Sequence, residues 1–459
     1  MKSLSRALAL VAALVWSFAD SHEAVAQSIL RDAETEKFLR AITDPILEAA
    51  ELTPESVQII LIHDNSMNAF VAGGQNIFIH SGLIMQVDDV NQLLGVLAHE
   101  AGHITGGHLV RFSDGLRAPT AISILSLVLG AAAVAAGAPD AGIGILAGGQ
   151  QAAQRKFFSY SRIQEAAADQ AGAQFLERAG LSGEGLVEVF HKFREQEFLL
   201  GVTQDPYVRT HPLTSDRLAR LEQVVGSSPY YGKPPDAAHQ HWFRLIQAKL
   251  GGYVNYPRVT LQQFPVTDRS LYARYARVYA YHKAIEWDLA LAEVDSLIAE
   301  DPEYPYFHEI KGQILFENGR VAEAVDPFRR AVELAPREPL ILTALGQALV
   351  AQEDPEMDKE ARRHLELATA LDRFNSFGWY QLAIVYTRAG EDGLASLATA
   401  ERFAMARRYG AAAMHAKKAL DALEQGTSQW IRAQDILLVA EANIPEEERR
   451  RRRARPDTR

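Results

Sequence analysis

The sequence predicts an α+β protein that is mostly helical: a first domain with a small β-sheet, then an all-α solenoid of helical repeats. Three observations predict it. Two β-rich runs near the start, "SVQIILIHD" and "QNIFIHSG", are separated by Gly73-Gly74. Long helical stretches follow, two of which carry a His/His and a Glu/Asp pair at four-residue spacing. From residue 269 on, small and apolar residues recur with a period near 34 residues.

Residues 1–26 read as an export signal. Lys2 and Arg6 give a basic start, Ala7 to Ala19 an apolar core, and Ala24-Val25-Ala26 small residues for cleavage before Gln27. The apolar core is short of the roughly 20 residues that a membrane span needs. The expectation is a periplasmic protein, associated with the outer membrane or free. The 459 residues include no cysteine, which excludes disulfides, thiolate catalysis and cysteine metal sites. A formal charge of -11 excludes a general nucleic-acid binder, which needs a basic face.

Residues 27–250 are expected to form the first domain. Within it, Val96 to His108 reads "VLAHEAGHITGGH". Asp88 or Asp89 can cap a helix here, with Leu93, Leu94, Val96 and Leu97 on its buried side. His99 and His103 are four apart, so both imidazoles share one face. Glu100 follows the first histidine. This is H-E-x-x-H, two zinc ligands and a general base on one helix. A third ligand six residues after His103 would be Leu109, so the metzincin spacing fails. His108 would lie roughly 140° further round a continuous helix, facing elsewhere, as a structural or supporting residue.

Residues 118–154 are small and apolar, and no charge falls in 118–139. They are expected to form packed helices or a lid, with peripheral membrane contact. Then comes "SYSRIQEAAADQAG", where Glu165 and Asp169 are again four apart, among alanines that let this helix approach another closely. Glu165 would complete a His/His/Glu site with one position open to water, as catalytic zinc requires. Asp169 would accept the other ring N–H of a ligand histidine. "THPLTSDR" offers His211 and Arg217 as donors near the site.

Residues 251–268 break periodicity and are expected to be a linker. In 269–442, Ala290, Ala324 and Ala361 start a register continued by Val294, Phe328 and Leu365 and by Leu297, Ala331 and Ala368. Pro302 and Pro336 close two units; Gly312 and Gly346 stand 34 apart. Trp379, Leu382 and Tyr386 begin another unit, with Ala395 in its second helix. This is the tetratricopeptide (TPR) pattern, which commonly binds a peptide or protein. The tail 443–459 is a charge block with arginine at every position from 449 to 453.

"HEAGH", "SRIQEAAADQAG" and "THPLTSDR", in that order before TPR repeats, resemble the periplasmic BepA-like zinc metalloproteases. These are members of the gluzincin family that also holds HtpX and the CAAX prenyl endopeptidases. The resemblance implies one Zn2+ per subunit on His99, His103 and Glu165, with Glu100 as base and Asp169 behind the ligands. It implies that His211 can occupy the open position and hold the enzyme latent, and that Arg217 pairs with Asp169 or faces substrate. The strand in "NAFVAGGQNIFIHSGLI" would pair with extended substrate. Such enzymes act on misassembled outer-membrane proteins, with the outer-membrane assembly machinery as partner. The rival reading is a TPR chaperone or adaptor docked on that machinery, with a latent zinc site closed by His211.

Overall fold

The computed structural model describes residues 29–108, 139–200 and 213–444, with 120, 122–127, 129 and 211 between them. The export signal, much of the 118–138 segment and all but the first two residues of the tail lie outside these.

The first domain is a four-stranded sheet under helices. Strand β1 (Ile29–Leu30) leads into helix α1 (Ala33–Ala49), followed by β2 (Gln58–Ile62), β3 (Ala69–Ala72) and β4 (Asn76–His80). Their order is β1-β2-β4-β3, with β2 parallel to β4 and both outer pairs antiparallel. The β3–β4 hairpin turns at Gly73 and Gly74, whose φ of +59° and +107° side chains rarely tolerate. β3 is thus an edge strand. Helices α2 (Ser81–Gln86), α3 (Val90–Thr105), α4 (Pro139–Arg178), α5 (Glu184–Leu200) and α6 (Ser215–Gly226) complete the domain. Their core joins Phe38, Leu97, Leu176 and Phe190. His80 is buried and bonded to Ser66 Oγ at 2.8 Å.

α4 differs from expectation. One helix of 40 residues carries the chain from the apolar segment through Glu165, so no break falls near residue 154. Its alanines and glycines simply continue the helix. The expected linker is also largely helical. α7 (Ala237–Val254) runs past residue 250, and α8 (Pro257–Gln263) follows, with proline at its first position. No helix among the described residues is long and apolar enough to cross a membrane.

Five helix pairs follow, α9 (Leu271–Lys283) with α10 (Trp287–Glu300), α11 (Pro305–Glu317) with α12 (Val321–Leu334), α13 (Pro339–Val350) with α14 (Pro355–Leu371), α15 (Ser376–Arg388) with α16 (Asp392–Met405), and α17 (Tyr409–Ala422) with α18 (Ser428–Asn443). The repeated glycines have a packing reason. A Cβ on Gly312 would meet the Phe328 ring at 2.8 Å, and one on Gly346 would meet Leu365 at 2.5 Å. The second and third repeats therefore each need a glycine on the first helix against a large residue on the second.

The two domains are joined by buried charge. Lys249 on α7 contacts Asp32 at 2.5 Å and Glu34 at 3.2 Å. Tyr275 donates to Glu34 at 2.6 Å, and Tyr304 donates to its other oxygen. Breaking one side of such a buried pair typically costs about 3–5 kcal/mol. Burial, opposed by Lys249 and reinforced by Asp32 and Glu34, pushes the neighbouring Glu309 carboxyl up to about 8. The folded chain then keeps a proton that the unfolded chain releases near 4.5. Stability tied to Glu309 is full below that value and is lost as pH rises to about 8. Glu309→Gln should raise the thermal midpoint near pH 8 by roughly 2–4 °C and leave it almost unchanged near pH 4.5. A pH-independent difference in calorimetry would contradict the assignment.

Candidate metal centre

The site is built where α3 and α4 cross. Asp89 caps α3, accepting from Gln92 N at 3.0 Å. The crossing is close because both helices are small there. A Cβ on Gly102 would sit 2.7 Å from the Ala168 carbonyl oxygen, and one on Gly172 would sit 3.0 Å from the Ala98 backbone. Glu165, one turn before Asp169, is thereby pressed against the histidine face of α3.

Four residues converge: His99, His103, Glu165 and His211 each offer one ligand atom, all within 4.8 Å of one another. His99 Nε2 and His103 Nε2 are 3.1 Å apart. Each lies 3.4 Å from one oxygen of Glu165. His211 Nδ1 is 3.2 Å from His99 Nε2 and 3.1 Å from Glu165. The set fits a metal. Several lone pairs point at one spot, and a tetrahedral ion with bonds of about 2.0–2.1 Å spaces its ligands about 3.3–3.4 Å apart.

The partners behind these groups are ordered. His99 Nδ1 lies 3.0 Å from Asp169 Oδ1. Arg217 holds Asp169 with two bonds, Nε to Oδ2 at 2.7 Å and Nη2 to Oδ1 at 2.8 Å, and also reaches Glu165 at 3.2 Å. The capping hydroxyl of Thr214 accepts from Arg217 N and starts α6 there. Phe190 on α5 lies under both the His99 ring and the Arg217 guanidinium. Nothing in the sequence singled Phe190 out, because it is one apolar residue of an amphipathic helix.

His108 does not face away. α3 ends at Thr105, and Gly107, at φ +60°, reverses the chain. The His108 ring fills the space where a Cβ on Gly106 would stand, 2.4 Å from its Nε2. Its Nδ1 comes within 2.9 Å of His103 Nδ1. The expectation of a continuing helix failed because two glycines end it.

Glu100 is fully buried, and neither carboxylate oxygen has a hydrogen bond of normal geometry. Burial raises its pKa, and the imidazoles of His211 and His99 and the Val71 main chain on β3 only partly oppose it. Burial would also raise Glu165, but His211 and His99 outweigh it and hold that carboxyl well below its usual range. Asp169 is lowered too, as the His99 and Arg217 bonds overcome burial. One carboxyl is therefore poised to take a proton while two stay charged, the separation that acid–base chemistry beside a cation needs.

Residues 33–225 match the profile of peptidase family M48, and residues 275–339 match that of a tetratricopeptide repeat. The chain is 23% identical over 411 residues to the beta-barrel assembly-enhancing protease of Escherichia coli K12, covering 88% of this chain and 82% of that one. It is 27% identical to the mitochondrial metalloendopeptidase OMA1 of Danio rerio, covering 44% of this chain and 42% of OMA1. It is 28% identical to the metalloprotease YcaL of Escherichia coli K12, covering 38% of this chain and 64% of YcaL.

Removing a group that backs a metal ligand typically costs about 10–100-fold in metal affinity. His108→Leu should weaken binding in a chelator competition by about tenfold, and His108→Asn, which keeps an acceptor, by much less. Equal affinity in His108→Leu and wild type would show that the contact does not support His103.

Proposed function

We propose that the chain, whose residues 33–225 match the M48 peptidase profile ahead of tetratricopeptide repeats, is a zinc metalloendopeptidase of the bacterial periplasm acting on misassembled envelope proteins. The observation that carries the reading is the convergence of His99, His103 and Glu165 with the buried, raised carboxyl of Glu100 beside them. Nitrogen and carboxylate donors at this spacing suit one Zn2+ per subunit. When bound, zinc polarises a scissile carbonyl and acidifies a water.

The residues of the chain supply the rest. Glu100 takes the proton of the attacking water and later returns it to the leaving amine. Its raised pKa favours holding that proton between the two steps. Asp169 keeps the proton of His99 on Nδ1, so that Nε2 presents a lone pair. Arg217 fixes Asp169 and neutralises charge that would otherwise stand unpaired. Edge strand β3 runs beside Glu100, and Val71 on it faces that carboxylate. A polypeptide added to this edge would gain main-chain bonds with little sequence preference, which suits a protease of unfolded substrates.

His211 favours a second feature, latency. Its Nδ1 stands among the ligand atoms, in the position that water would need. With four protein donors the site is closed, the hallmark of structural rather than catalytic zinc. We read this as a resting state in which His211 must withdraw before substrate binds. That state reconciles the protease reading with the chaperone or adaptor role, since a latent chain can still hold partners through its repeats. The name of the Escherichia coli relative, a beta-barrel assembly-enhancing protease, supports outer-membrane proteins as substrates and the machinery that assembles them as partner. Export by residues 1–26, with or without association to the outer membrane, belongs to the same reading.

Glu100→Gln should bind zinc like wild type while casein cleavage falls at least ~10³-fold, the loss of a general base and of the charge beside the water. Residual activity within tenfold of wild type would remove Glu100 from the mechanism. His211→Ala should raise cleavage several-fold with zinc retained. A fall instead would assign His211 to catalysis.

A further inference from the structure

One run within the last two repeats carries charge of the opposite sign to the chain, although the two repeats as a whole balance. Residues 402–420 contain Arg402, Arg407, Arg408, Lys417 and Lys418 and no acid, in a protein of net charge -11. Elsewhere most arginines of the solenoid are paired, Arg329 with Glu360, Arg330 with Glu303, Arg362 with Glu391 and Arg388 with Asp358, while Arg337 and Arg363 make no ion pair among the described residues. Among the described residues none of the five cations in the 402–420 run makes an ion pair, and a neighbouring arginine, Arg373, makes none either. Unpaired cations on an acidic protein keep a favourable field for an anionic partner.

Aromatic rings run through the same surface. Phe374, Phe377 and Tyr380 are 68%, 44% and 40% exposed. Phe377 and Tyr380 lie 6.2 Å apart on α15. The Arg402 guanidinium sits 4.8 Å over Tyr380 and 5.7 Å over Phe403 on α16. Arg408, at the start of α17, sits 4.9 Å over Phe403, and the ring of His415 on α17 lies tilted against the same ring at 5.5 Å. Stacking on a ring holds a guanidinium in place while leaving its N–H edge open to a carboxylate. The result is a continuous ladder of rings and cations across three consecutive helices.

We propose that this ladder is a docking site for an acidic polypeptide segment that also carries apolar or aromatic side chains. It rests on the reading of the repeats as a docking platform and is independent of the metal centre. The charge selects a carboxylate-rich partner, and the exposed rings select apolar side chains between the carboxylates. Three helices at about 8–10 Å spacing span about 20 Å. That is the length of about six extended residues. A polypeptide is favoured over a lipid surface because rings and cations alternate in contact, Tyr380 with Arg402, Arg402 with Phe403 and Phe403 with Arg408, as a chain of alternating side chains would meet them.

The test uses the full chain and a fluorescein-labelled peptide of alternating Glu and Phe, with a Gln-for-Glu peptide as control. Fluorescence anisotropy should show the acidic peptide binding at least about tenfold more tightly than the Gln peptide, and weakening with salt. Arg402→Gln with Arg408→Gln should weaken it by about tenfold or more, about 1.4 kcal/mol. Tyr380→Ala should weaken it too, and casein cleavage should be unchanged in all variants. Acidic-peptide binding that ignores Arg402 and Arg408 would refute the ladder but leave the platform reading standing. No peptide binding at all would remove both. Co-flotation with phosphatidylcholine–phosphatidylglycerol vesicles, lost in the double variant and without peptide binding, would assign the ladder to lipid instead.

Discussion

The functional centre depends on how closely α3 and α4 can approach. Imidazoles on one helix and a carboxylate on another meet at 3.4 Å only if the backbones between them nearly touch. Gly102 against Ala168, and Gly172 against Ala98, allow this; any larger side chain at those points would separate the helices. The small residues inside "HEAGH" and "EAAADQAG" are therefore part of the site although they carry no chemistry. Gly95 makes a similar contact with the Leu186 backbone of α5, so the same helix is clamped on two sides. A rigid α3 matters because ligand geometry tolerates errors of only about 0.5 Å.

Burial then sets the charges. Glu165, Asp169, Glu100 and Arg217 are all nearly inaccessible to solvent. Three acids and one guanidinium cannot all be ionised in a low dielectric without more positive charge. The chain's own answer is to hold His99 protonated up to about 10, where Asp169 and Glu165 overcome the cost of its burial. A divalent cation answers better, because it supplies charge to the ligand atoms directly and frees His99 Nε2 to bind. The demand for a cation thus follows from the carboxylates, not only from the histidine spacing.

Much of this was legible in the sequence, and the reason is periodicity. The i, i+4 pairs His99/His103 and Glu165/Asp169 fix two helix faces, and a helix face survives any tertiary arrangement. The tetratricopeptide register was legible for the same reason: Ala290, Val294 and Leu297 lie on one buried stripe. What failed were statements about where helices stop. His108 was placed on a helix that Gly106 and Gly107 end, and residues 251–268 were read as a linker although α7 crosses residue 250. Helix ends depend on one or two residues and their tertiary surroundings, so periodicity carries little information there. His211 and Phe190 were harder still. Their roles arise from contacts 112 residues away in one case and from a ring packed under His99 in the other.

The joint between the domains gives the chain a way to work as one object. Asp32 and Glu34 begin α1, whose Phe38 and Ile46 sit in the peptidase core. The same two carboxylates hold Lys249, and through Glu34 they are bonded to Tyr275 and Tyr304 of the repeats. Arg31 extends the contact to Asp372, at 2.8 Å, just before the exposed Phe374. A partner seated on α15 would therefore press on a segment tied directly to β1 and α1. From there the path to the site is short: α1 packs on both α3 and α4, the two helices that carry the candidate ligands. Such a path transmits force only if its members have two arrangements. Under the proposed latency, His211 would be one such member, since it would have to leave its place among the ligand atoms for the site to open. It lies on the segment that enters α6, whose Arg217 grips Asp169 of α4. A shift of α4 against α6 would act first on that guanidinium and then on His211, so docking on the repeats and opening of the site are mechanically compatible in one chain.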